Sequence, residues 1–285
     1  MSGICNILGV PFNNMSPVET VELLNVYLSG DTKAAVYTPN PEMVMAALKD
    51  PEFMEVLNNS AANLPDGIGI VYASRFTENR IEERVPGCDT VLNLFDKMKN
   101  SKKTAYFFGG APGVAEKAKE EMEKRFKGLS VVGTADGYFD EEKEQQIIAD
   151  INEKKPDLLL VGIGFPKQEK WIAKHLDELN VKVAIGVGGS LDVFSGTVKR
   201  APKAFIDLNL EWFYRLLCQP SRIGRMMQLP VFMVTVIKDR YFKNKGGEKP
   251  KKTVKIKNYK IKIRKKKHTD KPEQQEQPSE NTNEI

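Results

Sequence analysis

Gly162 and Gly164 close the apolar run Asp157 to Ile163 and are followed at once by Phe165-Pro166-Lys167-Gln168-Glu169-Lys170-Trp171. A glycine-bearing strand end that runs into a helix N-terminus suits an anion, because free backbone N–H groups and the helix dipole both favour negative charge. A phosphorylated ligand is therefore expected there. The same glycines would also serve simple close packing of strand on helix. Pro166 suits the first helical position, which puts Gln168, Glu169 and Lys170 in the first turn.

Other polar residues share this context. Thr38 and Asn40 stand where the run Ala34 to Thr38 meets a helix begun by Pro41, and Asn40 could present its amide to a ligand or merely cap that helix. Asp66, in the loop Asn63-Leu64-Pro65-Asp66-Gly67-Ile68-Gly69, occupies an N-cap position before a helix over 68–76, so a capping role is its default. Arg84 precedes a Pro-Gly turn, where a lone arginine is either a solvated charge or a phosphate ligand.

The elements that must position these residues alternate. Residues 3–10 read as a strand, and Ser16 with Glu19 has capping-box spacing before an amphipathic helix. From Thr104 to Phe108 a strand leads into Gly109-Gly110-Ala111-Pro112-Gly113 and a helix over 114–126, which lacks the full dinucleotide fingerprint G-x-G-x-x-G. Strands over 130–133, 157–163 and 182–187 follow, with helices between them. Right-handed crossovers bring all such strand ends to one edge. Gly109, Gly137, Gly162 and Gly186 should then line one side of a single parallel sheet, a nucleotide-binding arrangement that no one of them would establish alone. The fold class is α/β, a Rossmann-like parallel sheet flanked by helices.

Composition sets the outer bounds. The 285 residues suffice for one large α/β domain or two small ones, and 41% hydrophobic content supports a folded chain. Cys5, Cys88 and Cys218 show no paired spacing, which argues against a disulfide framework or zinc cluster and for a reducing compartment. His175 and His268 lack partners at metal-ligand spacing. The N-terminus reads as a strand rather than a signal peptide, and no apolar run approaches the roughly 20 residues of a membrane span. A cytoplasmic protein is expected.

The net charge of +5 is uneven. Residues 238–267 carry 15 Lys/Arg against 2 acids and residues 268–285 a net −4, which leaves residues 1–237 at −4. We divide the chain into an α/β core over 1–200, a helical appendage over 201–245 and a basic then polar tail over 246–285 expected to lack fixed structure. In the appendage, aromatics, leucines and methionines surround Arg215, Arg222 and Arg225, a pattern suited to the membrane interface, although a helical arm packed on the sheet or on another subunit would look similar. Lysines over 243–267 could add about 1 kcal/mol each of attraction to an anionic membrane surface. Nucleic acid is the weaker reading of that tail, which has no folded recognition module.

The stretches TPNPEM, NLPDGIG, RVPGCD, FFGGAPG, ADGYF, GIGFPKQEKW, GVGGSLDVFSG and APK…LEWFYRLLCQPSR resemble, in order over about residues 3–230, the WecG/TagA/CpsF family of bacterial glycosyltransferases, nearest its TagA branch in wall teichoic acid synthesis. The resemblance implies transfer of N-acetylmannosamine from UDP-N-acetylmannosamine to the 4-hydroxyl of undecaprenyl-diphosphate-linked N-acetylglucosamine, with inversion to a β-1,4 linkage. It implies that Asp66 is the base, that Thr38, Asn40 and Gln168 hydrogen-bond the sugars, and that Arg84 faces the diphosphate. Gly109, Gly137, Gly162, Gly186, Gly188 and Asp192 would form the UDP pocket, with Asp192 on ribose or uracil. No Asp-x-Asp pair is present to hold a divalent ion, in keeping with a family chemistry that uses arginines and no metal or other cofactor. Arg215, Arg222 and Arg225 would then close over the site as a lid when the appendage meets the inner face of the membrane. A relative that uses UDP-N-acetylmannosaminuronic acid, or a membrane-tethered nucleotide-binding module without catalysis, are the alternatives. Apolar surface over 205–237 could also pair subunits in solution.

Overall fold

The computed structural model describes residues 3–218, 220 and 223–244. The expected first strand is instead a hairpin of β1 (Ile4–Ile7) and β2 (Val10–Asn13), an antiparallel pair separate from the main sheet. The chain reverses at Leu8 and Gly9, with φ of 52° and 92°. Two consecutive left-handed residues make the tight hairpin turn whose twist matches the strands, and Asn6 Oδ1 accepts the Gly9 N–H at 3.0 Å.

After the hairpin, α1 (Pro17–Ser29) begins with the expected Ser16–Glu19 capping box. Then come β3 (Ala34–Tyr37), α2 (Pro41–Ala47), α3 (Pro51–Asn58), β4 (Ala62–Asn63), α4 (Ile68–Ser74) and α5 (Gly87–Met98). The second half runs β5 (Thr104–Gly109), α6 (Val114–Arg125), β6 (Ser130–Ala135), α7 (Glu141–Lys154), β7 (Leu158–Gly162), α8 (Lys167–His175), β8 (Val183–Gly186) and α9 (Ser190–Phe194). Among the described residues there follow α10 (Lys203–Asp207), α11 (Glu211–Cys218), α12 (Ile223–Met226) and α13 (Gln228–Asn244).

Six strands form one parallel sheet in the order β4-β3-β8-β7-β5-β6. Alternate residues of its central strands enter two separate cores. Val36, Phe107, Leu160 and Ile185 join the core beneath α1, α5, α6 and α9. Tyr37, Phe108, Leu159 and Ala184 join the one beneath α2, α3, α4, α7, α8 and the hairpin. A sheet covered on both faces explains why its strands read as continuous apolar runs.

Successive central strands therefore send their chains to opposite faces. β5 leads to α6 on one face and β7 to α8 on the other, while β8 leads to α9 and β3 to α2. Such divergence opens crevices outside the C-terminal strand ends, where ligands of open α/β sheets sit.

The last helix is part of the body as well as a surface. Phe232 and Val236 of α13 are buried in the second core, and α13 packs against α2 and α4. Its other face exposes Val231, Val234, Ile237, Tyr241 and Phe242. One helix thus carries two apolar faces, which is why its sequence shows little amphipathic contrast. No helix among the described residues is long and apolar enough to cross a membrane.

Candidate active site

The glycine-marked strand ends converge. Gly109 and Gly162 are register partners at the ends of β5 and β7, the point where the crossovers diverge. A Cβ on Gly109, whose φ is 138°, would lie 2.3 Å from the Gly162 carbonyl oxygen, and one on Gly162 would lie 2.7 Å from the Gly188 oxygen. No side chain fits between these backbones. Gly110 donates to the Gly162 oxygen at 3.0 Å and Gly137 to the Gly110 oxygen at 2.8 Å, which draws the loop after β6 onto the same edge. Gly137 spends its N–H within the protein, so its place here is as thin backbone. Gly164, with φ of 83° and no atom near its missing Cβ, is needed for its turn.

On the other flank, three loops lock together at the end of β3. Thr38 is buried, and its hydroxyl donates to the Gly186 carbonyl at 3.3 Å. Asn40 caps α2, its Oδ1 accepting the Met43 N–H at 3.0 Å, so the capping alternative is realised. Asp66 is not a cap: Gly67 takes the N-cap place of α4 without a side-chain bond. The Asp66 N–H donates to the Pro39 oxygen at 3.3 Å, and Val85 N–H to the Pro65 oxygen at 2.8 Å, so the loops holding Thr38, Asp66 and Arg84 are neighbours. Gly69 permits this, since a Cβ there would meet Pro41 Cγ at 2.7 Å. Asp66 itself is half-buried.

Arg84 is no solvated charge. Its guanidinium donates to the Ile206 oxygen at 3.4 Å and lies 3.7 Å from Glu211 Oε2, so α10 and the start of α11 close against it. Nearby, Arg200 pairs with Asp89 in the first turn of α5. Neither Arg200 nor Glu211 was singled out by sequence, because both lie in a stretch without strand–helix punctuation. Arg222 and the side chains of Arg215 and Arg225 lie outside the described residues.

Between the two flanks stands Gln168. Pro166 is the N-cap of α8, one place earlier than expected, after a cis Phe165–Pro166 bond. Gln168 is buried; its Oε1 accepts the Gly188 N–H at 3.0 Å and its Nε2 donates to Glu169 Oε1 at 2.6 Å. Gly188, like Gly137, has its N–H engaged inside the protein. Glu169 was passed over in the sequence although it falls on the same helical stripe as Ile172, and it is fully buried. Burial pushes its carboxyl up to about 7, with the Gln168 bond acting in the opposite direction. Asp192 is half-buried in α9, its carboxylate 3.4 Å from where a Gly189 Cβ would stand. Among the described residues, no group of three His, Cys, Asp or Glu side chains could hold a metal ion.

The arrangement brings thin backbone at the ends of β5, β7 and β8 together with Thr38 and Gln168, and sets the loops of Asp66 and Arg84 beside the end of β3. Residues 5–246 match the sequence profile of the glycosyl transferase WecG/TagA/CpsF family. The chain is 36% identical over 248 residues, 86% of its length and 96% of the relative, to a Bacillus subtilis (strain 168) protein named N-acetylglucosaminyldiphosphoundecaprenol N-acetyl-beta-D-mannosaminyltransferase. Proteins of the same name from Bacillus spizizenii and Staphylococcus aureus (strain MRSA252) are 39% and 35% identical, covering 76% and 82% of this chain and 83% and 92% of theirs.

Proposed function

The chain belongs to the WecG/TagA/CpsF glycosyltransferase family, and from that premise we propose that it moves N-acetylmannosamine from its UDP donor to N-acetylglucosamine on undecaprenyl diphosphate, an early step of wall teichoic acid synthesis. The observation that carries this reading is that likeness to relatives of one named activity runs through the whole sheet and into the appendage, so every wall of the crevice is included. The same naming favours mannosamine over the uronic acid donor and transfer over mere nucleotide binding.

In this reading UDP lies along the bare edge Gly109, Gly162, Gly137 and Gly186, where the thin backbone admits the diphosphate, with Gly188 at its border and Asp192 turned to ribose or uracil. The sugar projects toward Thr38, Asn40 and Gln168. Asp66 accepts the proton of the acceptor 4-hydroxyl as that oxygen bonds to the anomeric carbon. The bond from that carbon to the diphosphate breaks on the opposite face, its electron pair leaving with UDP, so the product is the inverted β linkage. Arg84 meets the charge that develops on the diphosphate, and Arg215, Arg222 and Arg225 would join it from the appendage.

The membrane surface supplies the acceptor. Exposed large apolar side chains gather in the last part of the described chain, at Trp212, Phe213, Leu217, Ile223, Met227 and along α13. That face would enter the headgroup boundary on the cytoplasmic side, where the lysine-rich sequence over 243–267 adds attraction to anionic lipid, and could pair subunits in solution until lipid takes its place. A loss of subunit pairing on adding vesicles, followed by sedimentation, would support this; an unchanged mass would count against it.

The first test is transfer from UDP-N-acetylmannosamine to a short-chain lipid diphosphate acceptor by wild type, Asp66→Asn and wild type with chelator. Transfer that survives chelation and disappears with Asp66→Asn fits the proposal. Wild type that binds UDP yet makes no disaccharide lipid would overturn it.

A further inference from the structure

Glu169 is a carboxyl group placed where solvent cannot help it. It has no exposed surface, its Oε2 is buried without a hydrogen-bond partner among the described residues, and only Oε1 is engaged, by Gln168. Burying such a group is costly, and a hydrophobic side chain of similar volume would serve packing better. Its place in the first turn of α8, against Tyr37, whose hydroxyl donates to the Glu169 carbonyl, holds it beneath the end of β8. A Cβ on Gly186 would stand 3.1 Å from Glu169 Oε1 and 3.0 Å from Gln168 Nε2.

The chemistry of the partners dictates direction. The Gly188 N–H can only donate, so the Gln168 oxygen must face it, and the Gln168 amide nitrogen must then face an acceptor. Glu169 Oε1 is that acceptor in either protonation state. Both ends of the carboxamide are thereby fixed: a flip would set Nε2 against the Gly188 N–H and Oε1 against the Glu169 oxygen. Gly188 in turn rests its carbonyl over Gly162, at the floor of the crevice.

We propose that Glu169 is a positioning residue for the transfer reaction, orienting the Gln168 carboxamide and, through it, the Gly188 turn that borders the nucleotide. This rests on the reading of the crevice as the donor site. The relay Glu169–Gln168–Gly188 ties the first turn of α8 to the loop after β8, so the two elements move as one and Gln168 keeps its remaining amide hydrogen aimed for a sugar oxygen.

The test is a double-mutant cycle of Glu169→Ala and Gln168→Ala with Glu169→Gln as the conservative variant, read by UDP affinity, turnover and hydrogen exchange at the Gly188 N–H. Glu169→Ala should lower turnover about ten- to a hundredfold, the scale of a small misplacement in a site. It should also speed exchange at Gly188. Glu169→Gln, which keeps an acceptor oxygen, should restore both. In the Gln168→Ala background, Glu169→Ala should cost little more.

Additive losses, failure of the Gln variant to restore exchange protection, or a folded Glu169→Ala with full activity would each overturn the proposal. If Glu169→Ala does not fold, Glu169→Met takes its place; a chain that folds with Gln but with neither Ala nor Met would make the residue a stability element and refute the positioning role. Exchange at Gly188 reads the relay without any substrate, so absence of transfer by wild type would strike the proposed reaction while leaving the relay separately decided.

Discussion

Arg84 and Glu211 face each other across 3.7 Å, each with 15% of its side chain exposed, so a carboxylate from the appendage already occupies the arginine assigned to the diphosphate. A phosphate oxygen reaching Arg84 must compete with it. Glu211→Gln should therefore tighten UDP binding, by up to about fivefold, the scale of one such ion pair. Titration calorimetry with UDP checks this, and weaker binding in the variant would show that Glu211 helps to build the site.

Asp66 lies beside the loop after β3 without capping α4. Asp66→Asn should lower turnover by roughly a hundredfold to ten-thousandfold, the usual contribution of a general base. UDP affinity should stay near wild type, because no covalent or capping role is lost. A parallel loss of UDP binding would move Asp66 from base to donor ligand.

The carboxyl of Glu169 binds its proton more tightly when folded, at about 7 against 4.5. Between those pH values the native state holds a proton that the unfolded chain has released, so stability is greatest below 4.5 and falls as pH rises toward 7. Tyr37 and Gln168 face the group, and Lys170 next to it is committed to Asp50 and Glu52. Glu169→Gln should remove this part of the slope, worth roughly 3 kcal/mol across the window. Urea unfolding of both proteins at pH 5 and 7.5 measures it; identical slopes would contradict the assignment.

Two glycines separate close approach from backbone freedom. Gly109→Ala combines φ of 138° with a contact of 2.3 Å and should destabilise by roughly 3 kcal/mol or more. Gly164→Ala, with φ of 83° and open space, should cost about 1–2 kcal/mol. Denaturant midpoints rank them, and a milder Gly109 variant would mean that β5 and β7 can separate at their ends.

The two faces of α13 should answer differently. Phe232→Ala, in the core, should cost about 3–5 kcal/mol of stability. Serine at Val231, Val234 and Ile237 should leave thermal stability nearly unchanged while reducing flotation with anionic vesicles. Equal vesicle binding would place the membrane contact elsewhere.

Residue order alone was enough for much of the fold. Buried parallel strands need long apolar runs, their ends need glycine where backbones crowd, and the capping pair Ser16–Glu19 marks its own helix. The convergence of Gly109, Gly137, Gly162 and Gly186 followed from connection handedness, a local property of L-residues. The hairpin at Leu8–Gly9 was hidden because leucine in a left-handed turn is held by its surroundings rather than by its own preference.

What tertiary structure alone decided is who meets whom. Whether Asn40 caps, whether Asp66 or Gly67 takes the N-cap place, whether Arg84 meets water or Glu211, and whether Glu169 lies in the interior all depend on segments distant in sequence. Local pattern carries conformational preference, because sterics act between neighbouring residues. Pairing, burial and electrostatic environment are fixed only when the sheet brings its loops to one edge and excludes water from between them.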